Sequence, residues 1–381
     1  MLAATVYCAT CFTAALGSAA GSLAPPWGPA AAAIERIHQV DRRHHDRVYR
    51  EYAGRLAAAK TEADHAAVNA WTKSADPAAP QADAAAVRAV LDAVAGHAAD
   101  PRSVRALAFV AAYAGTAPAD VDRAVALLRD HHLTAPEFTR CTQNCGHFRA
   151  GWVPQMLRDQ LAAAGVAPDR RHRLRLALAT HLKQYDPSPA GQAEALEQFE
   201  HLVRDRVPLK YIEGYDHGPT IADLARAAAY DIKHLSVGCP APGLAGDDTS
   251  GKPIKLSDYR GKVVVLSFWT TDCSACMALV PDERRIADRF RGRPFAVLGV
   301  NGDTDAAKAR ATAGKRQIPW RSVWCGPEGI RGPIPTAWNI DGWPTVYVID
   351  HTGTIRAKGH TTKKLDALLD EFVGPAERAS E

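Results

Sequence analysis

The sequence predicts two unlike parts: an all-α region over residues 25–235, possibly of tetratricopeptide type, and an α/β domain over 236–381 with helices flanking a central mixed sheet. Two observations predict this. Ala30 to Leu235 is rich in Ala, Leu, Arg and His and is broken by Asp-Pro and Ala-Pro pairs at Asp76, Asp100, Ala117, Ala135, Ala167 and Asp186, which are helix-boundary signals. Val263 to Trp269 is a β-branched and aromatic run suited to a strand covered on both faces, and further strand and helix patterns follow it.

The 381 residues are 47% apolar and 23% charged, enough to bury sizeable cores, and a net charge of +4 implies no nucleic-acid partner. Disorder and collagen are not suggested. Met1 to Ala24 carries no charge and is rich in Ala, Leu, Val and Phe. Small residues at Ser18, Ala20, Ser22 and Ala24 suit signal-peptidase cleavage, although no Lys or Arg stands near Met1. An exported, periplasmic or cell-envelope protein is expected, with a cytoplasmic Ala-rich tail or a single anchoring helix as alternatives. Membrane contact is expected at most through this segment, and Cys8 and Cys11 within it would be lost on cleavage.

Between the proline pairs, Leu107 to Tyr113, Val121 to Leu128, Met156 to Ala164, Leu174 to Leu182 and Ala193 to Val203 carry apolar residues three and four apart. They predict antiparallel helices, a docking surface for a protein partner or a spacer. Tyr185 to Arg206 faintly resembles a tetratricopeptide helix, but no clean repeat period extends beyond it. The run from Asp41 to Arg47 reads as a solvated helix face. Cys141, Cys145 and His147, with His131 and His132 upstream, lack the spacing for haem attachment or a standard zinc site, so structural thiols or a disulfide are expected.

In the second part, Gly238 to Asp248 reads as a linker. Val263 to Trp269 is the first core strand, and a helix from the cysteines to about Phe290 should kink at Pro281. Phe295 to Val300 is the next buried strand, and Asn301 to Asp305 caps a helix through Lys315. Trp320 to Trp324 is an edge strand, and Pro333 to Asn339 a short helix. Thr345 to Ile349 and Thr354 to Ala357 flank a hairpin turn, and Thr361 to Phe372 is the terminal helix.

Cys273 and Cys276 follow the first core strand directly. If a helix starts there, its free N–H groups and positive dipole end favour a thiolate at Cys273, the candidate nucleophile. Cys276, one turn on, is placed to attack a mixed disulfide. Two cysteines three apart can also be half of a zinc site, but no second pair follows and Cys325 stands alone. A CxxC beside a βαβ pattern is a redox signal.

Residues from about Ser236 to Val373 resemble a thioredoxin-fold domain of the TlpA/ResA-like disulfide reductases, in the AhpC/TSA-redoxin superfamily. The resemblance rests on Pro240 and Pro242; on Gly251, Lys252, Leu256, Ser257, Asp258, Gly261 and Lys262; on Phe268, Trp269, Cys273 and Cys276; and on Gly342, Trp343, Pro344 and Thr345. It implies a cis Pro344 facing a redox-active Cys273–Cys276 disulfide, and a substrate groove of Trp269, Trp343, Pro344 and Thr345. A cis proline leaves neighbouring backbone groups free to pair with an extended chain. No cofactor is implied beyond the disulfide. The implied partners are protein disulfide substrates and an upstream thiol electron donor.

The chain departs from that family between and around the cysteines. Ser274 and Ala275 replace the usual proline-containing pair, and Met277 follows where a cation is common. Asp272 stands where a tryptophan is common, and its carboxylate would oppose thiolate formation if close. Relatives place a carboxylate under the site at positions that align with Ser267 and Leu279, neither of which can act as a base. Cys239 and Cys325 are candidate third redox partners. The expected function is thiol–disulfide exchange in the reducing direction. The alternatives are peroxide reduction, and a helical binding protein whose redox domain is weakly active or degenerate.

Overall fold

The computed structural model describes residues 84–112, 116–142, 150–209, 218–362 and 365–379, with isolated positions between 47 and 67. Met1 to Ala24, Asp41 to Asp46, Cys145 and His147 lie outside the described residues. The chain divides into two compact units, Met1–Arg226 and Ala227–Glu381, instead of at the expected 235/236 boundary.

The first unit is helical: α1 (Ala84–Ala95), α2 (Ser103–Ala112), α3 (Pro118–His132), α4 (Pro136–Thr142), α5 (Val153–Ala162), α6 (Pro168–Tyr185) and α7 (Pro189–Arg204). Helices α3, α4 and α6 open on the proline of an Ala-Pro pair, where a missing N–H costs nothing because first-turn donors have no intrahelical acceptor. Val90, Leu91, Leu107, Val110, Leu128, Phe138 and Met156 form one buried core. His132 is buried against Ser103 and the carbonyl of Ala98, where burial holds its imidazole below the ordinary value.

Helix α8 (Ile221–His234) spans the division between the units. In the second unit, β1 (Ala245–Asp247) and β2 (Pro253–Lys255) form a small antiparallel ribbon. The main sheet is built of β3 (Val263–Trp269), β4 (Phe295–Asn301), β5 (Ser322–Trp324), β6 (Thr345–Ile349) and β7 (Ile355–Gly359). Their order across it is β5-β4-β3-β6-β7. Strand β3 is parallel to β4 and antiparallel to β6. The remaining helices are α9 (Ser274–Met277), α10 (Val280–Arg289), α11 (Ala306–Lys315), α12 (Pro333–Ala337) and α13 (Asp366–Arg378).

Every residue of β3 is buried. Its side chains alternate between two cores, as strand geometry requires. Val264, Leu266 and Phe268 join Leu298, Trp338 and Tyr347 on one face. Val263 and Val265 join Ile286, Phe290, Leu369 and Val373 on the other. The aromatic rings of Phe268, Trp338 and Tyr347 meet at centroid separations of 5.0 to 6.1 Å.

Three expectations need correction. The stretch from Gly238 is no free linker, because the amides of Gly238 and Ala241 donate to Ile355 and Gly353 and so lay it along β7. Leu235 is fully buried in the second unit's core, so that unit begins inside α8. The terminal helix starts at Asp366, later than expected, and runs on through Pro375. Its first acidic residues pair with Arg285 and Arg289 of α10.

Truncating Phe268, packed on both Trp338 and Tyr347, removes the centre of one core. Phe268→Ala should lower unfolding free energy by about 3–5 kcal/mol. Urea unfolding followed by near-ultraviolet circular dichroism checks it, and a loss below about 1 kcal/mol would contradict this packing.

Candidate active site

Strand β3 ends at Trp269, and the chain turns through Thr270, Thr271 and Asp272 into the two cysteines. Cys273 caps α9, and its Sγ accepts the amide of Cys276 at 3.0 Å. Cys273 and Cys276 are joined as a disulfide with Cα atoms 5.2 Å apart. The sulfurs differ in access: Cys276 is 3% exposed, whereas Cys273 is only half-buried.

The expected single helix from the cysteines to Phe290 is two. Helix α9 ends at Met277 and α10 begins at Val280. Pro281 has no amide to donate, and its ring would strike the carbonyl of Met277 in a continuous helix, so it starts a new one.

The Trp343–Pro344 peptide is cis. His360 closes the end of the β6–β7 ladder, its Nδ1 2.8 Å from the carbonyl oxygen of Pro344. Trp343 packs against the cluster of Trp269, Cys276 and Met277, so the cis-proline turn and the dithiol share one surface. Two other expected groove residues are buried. Trp269 is 4% exposed and donates its indole N–H to Ser322 at 3.2 Å, and Thr345 is 3% exposed and donates to Gly342. They form the wall behind the site, because Thr345 is held by its register with Phe268 on β3.

The turn before Cys273 is clamped from β4. The Asp303 carboxylate accepts the Thr271 amide at 3.1 Å and its hydroxyl at 2.6 Å, while Asn301 donates to the same carboxylate at 2.8 Å. The Asp303 carbonyl accepts the Trp324 indole N–H at 2.7 Å. Asp272, expected to oppose a thiolate, is paired with Lys308 of α11 at 2.6 Å. Both groups are exposed, so the pair contributes little stability, but the Lys308 ammonium offsets the Asp272 charge.

Ser267 and Leu279 cannot serve as the carboxylate beneath the site. The fold supplies one from a different position. Glu283, one turn beyond Leu279 on α10, is 3% exposed and faces Ser267 of β3. Burial pushes its carboxyl up to about 7 from the ordinary 4.5, against the pull of the Ser267 hydroxyl and with a push from Asp282. Its Oε1 has no hydrogen-bond partner. Ser267 and Trp269 point to the same face of β3, one strand repeat or about 7 Å apart. Glu283 and Cys276 thus both lie toward that face of the strand, Cys276 packing on Trp269. The signal was present in the sequence: Glu283 falls on the apolar stripe of α10 with Val280 and Ile286.

Cys325 is buried, and burial pushes its thiol up to about 12, which disfavours the reactive thiolate. Cys239 is half-buried and in no disulfide, its Sγ donating to the Lys233 carbonyl at 3.4 Å. No group of His, Cys, Asp and Glu arranged for a metal ion occurs among the described residues.

The sheet order, the closed Cys-x-x-Cys and the cis-proline beside it define a thioredoxin-like oxidoreductase domain. Residues 237–358 match the AhpC/TSA family. Thiol–disulfide oxidoreductase ResA of Bacillus anthracis is 31% identical over 117 residues, covering 29% of this chain and 67% of that protein. The thioredoxin-like protein YneN of Bacillus subtilis is 28% identical over 149 residues, covering 37% of this chain and 84% of that one. The thioredoxin domain of a thiol–disulfide oxidoreductase from Bacteroides vulgatus aligns with 26% identity, over 36% of this chain and 99% of that one, at a TM-score of 0.35. The chain belongs to the AhpC/TSA family through its C-terminal domain, and is an oxidoreductase related to ResA.

The raised pKa of Glu283 makes stability fall with pH. Between 4.5 and about 7 the folded state holds a proton that the unfolded chain has released, so unfolding becomes easier as pH rises. The loss should total on the order of 3 kcal/mol and level off above about 7.5. Glu283→Gln should flatten that slope in urea titrations of the oxidised protein at pH 5 and 8.5. An unchanged slope would remove the carboxylate from its buried site.

Proposed function

We propose that this chain exchanges protein disulfides with a thiol donor through Cys273 and Cys276, running in the reducing direction. The observation that carries this reading is the asymmetry of the bonded pair: one sulfur open at a helix start, the other sealed, with the cis-proline turn alongside. In the reduced state the Cys273 thiolate attacks a substrate disulfide, forming a mixed disulfide and expelling one substrate thiolate. Cys276, once deprotonated, attacks the Cys273 sulfur, closes the intramolecular disulfide and expels the second thiolate. Two electrons pass to the substrate, and two thiols of the donor return them.

The second attack needs Cys276 to lose its proton where water has little access. Glu283 is the group suited to take it, since a carboxyl poised near neutrality can both accept and return a proton. Backbone groups flanking Pro344 offer an extended substrate its pairing edge. The uncharged segment Met1 to Ala24 supports a place of action outside the cytoplasm.

Cys276→Ser should trap a mixed disulfide through Cys273, visible as a covalent adduct in non-reducing gels and by peptide mass. Cys273→Ser should abolish turnover of a disulfide-bonded protein substrate supplied with a dithiol donor. Full activity in Cys273→Ser would refute the assignment.

A further inference from the structure

The tryptophan that precedes the cis-proline does not reach out toward an incoming chain. The outer edge of its ring lies against Gly302, so close that a Cβ at that position would overlap it. Gly302 is buried, and its amide donates to the Trp269 carbonyl at 2.9 Å, which fixes the platform. The ring so placed packs on Trp269, Cys276 and Met277, with Ala313 and Ile318 completing the cover. Cys276 is left 3% exposed and Cys273 half-buried.

We propose that Trp343, seated on Gly302, is a shield that directs every external sulfur to Cys273, and that Gly302 is the specificity-determining residue that makes room for it. This rests on the exchange reaction proposed above. An attacking thiolate could open the oxidised pair at either sulfur. Attack on Cys273 forms a mixed disulfide there and releases the Cys276 thiolate, which then takes up a proton. Attack on Cys276 would instead strand the mixed disulfide inside the cover and release Cys273 at the surface. Both routes consume the same two electrons from the donor. Only the first leaves the mixed disulfide where a second donor thiol can reach it and form the donor disulfide. The shield therefore selects a productive path by access and not by acidity, since no charged group takes part in it.

Gly302 offers a clean probe. Its backbone is not among the positive-φ positions, and the clashing atoms are the tip of a side chain, so an added methyl displaces the indole without demanding a new backbone conformation. The test uses the full chain carrying Cys273→Ala, which leaves Cys276 as the site's thiol. Its reaction with N-ethylmaleimide is followed over pH 7 to 9 and resolved by peptide mass mapping, giving a thiolate rate constant and a pKa separately. Adding Gly302→Ala, or separately Trp343→Ala, should raise the rate constant of Cys276 about tenfold or more with its pKa unmoved. Cys325, 4% exposed, serves as an internal control, staying unlabelled while the fold is intact. If Gly302→Ala exposes Cys325 as well, Trp343→Ala decides. A change within twofold in the folded variants, or a gain explained wholly by a lower pKa, would overturn the shield. Absence of exchange in the unmodified protein would overturn the underlying reaction instead.

Discussion

A seven-residue strand with no exposed face sets the terms for the second unit. Strand β3 must be covered on both sides, so helices pack above and below it. It is flanked by a parallel neighbour and an antiparallel one, so its C-terminal end meets the end of β4 and the start of β6 at one edge. That convergence brings together the cysteine turn, the Asn301–Asp303 loop and the cis-proline turn. The chemistry sits where the burial of β3 runs out.

Much of this was legible in the sequence because its signals are local. A continuous β-branched and aromatic run, a CxxC directly after it, and a Gly-x-Pro-Thr before a second strand identify the sheet and the dithiol from neighbours in the chain. The helix starts in the first unit were equally local, written in Ala-Pro pairs. The misplaced features depend on contacts between distant segments. The Gly238 stretch looked like a linker because its partner is β7, far along the chain. Thr271 and Asp303 are separated by 32 residues, and Asp272 and Lys308 by 36, so neither pair can be read from spacing alone.

The carboxylate beneath the site shows how alignment can mislead where geometry does not. The two family positions hold Ser267 and Leu279, and a column-by-column comparison finds nothing to handle a proton. Packing α10 against β3 places Glu283 opposite Ser267, so a strand hydroxyl and a helix carboxyl occupy the space together. The arguments for a degenerate domain lose much of their force, since Asp272 is paired with Lys308 and a buried carboxyl is present. The helical unit has its own buried core.

We expect the exchanged electrons to reside on one pair of sulfurs. A redox titration of the full chain against a thiol–disulfide buffer, with each cysteine mapped by mass spectrometry, tests it most directly. We expect one two-electron transition confined to Cys273 and Cys276, in which the oxidised-to-reduced ratio changes tenfold per roughly 30 mV, with Cys239 and Cys325 remaining thiols throughout. A Cys273–Cys276 pair that does not cycle, or a transition that maps to other cysteines, would contradict it.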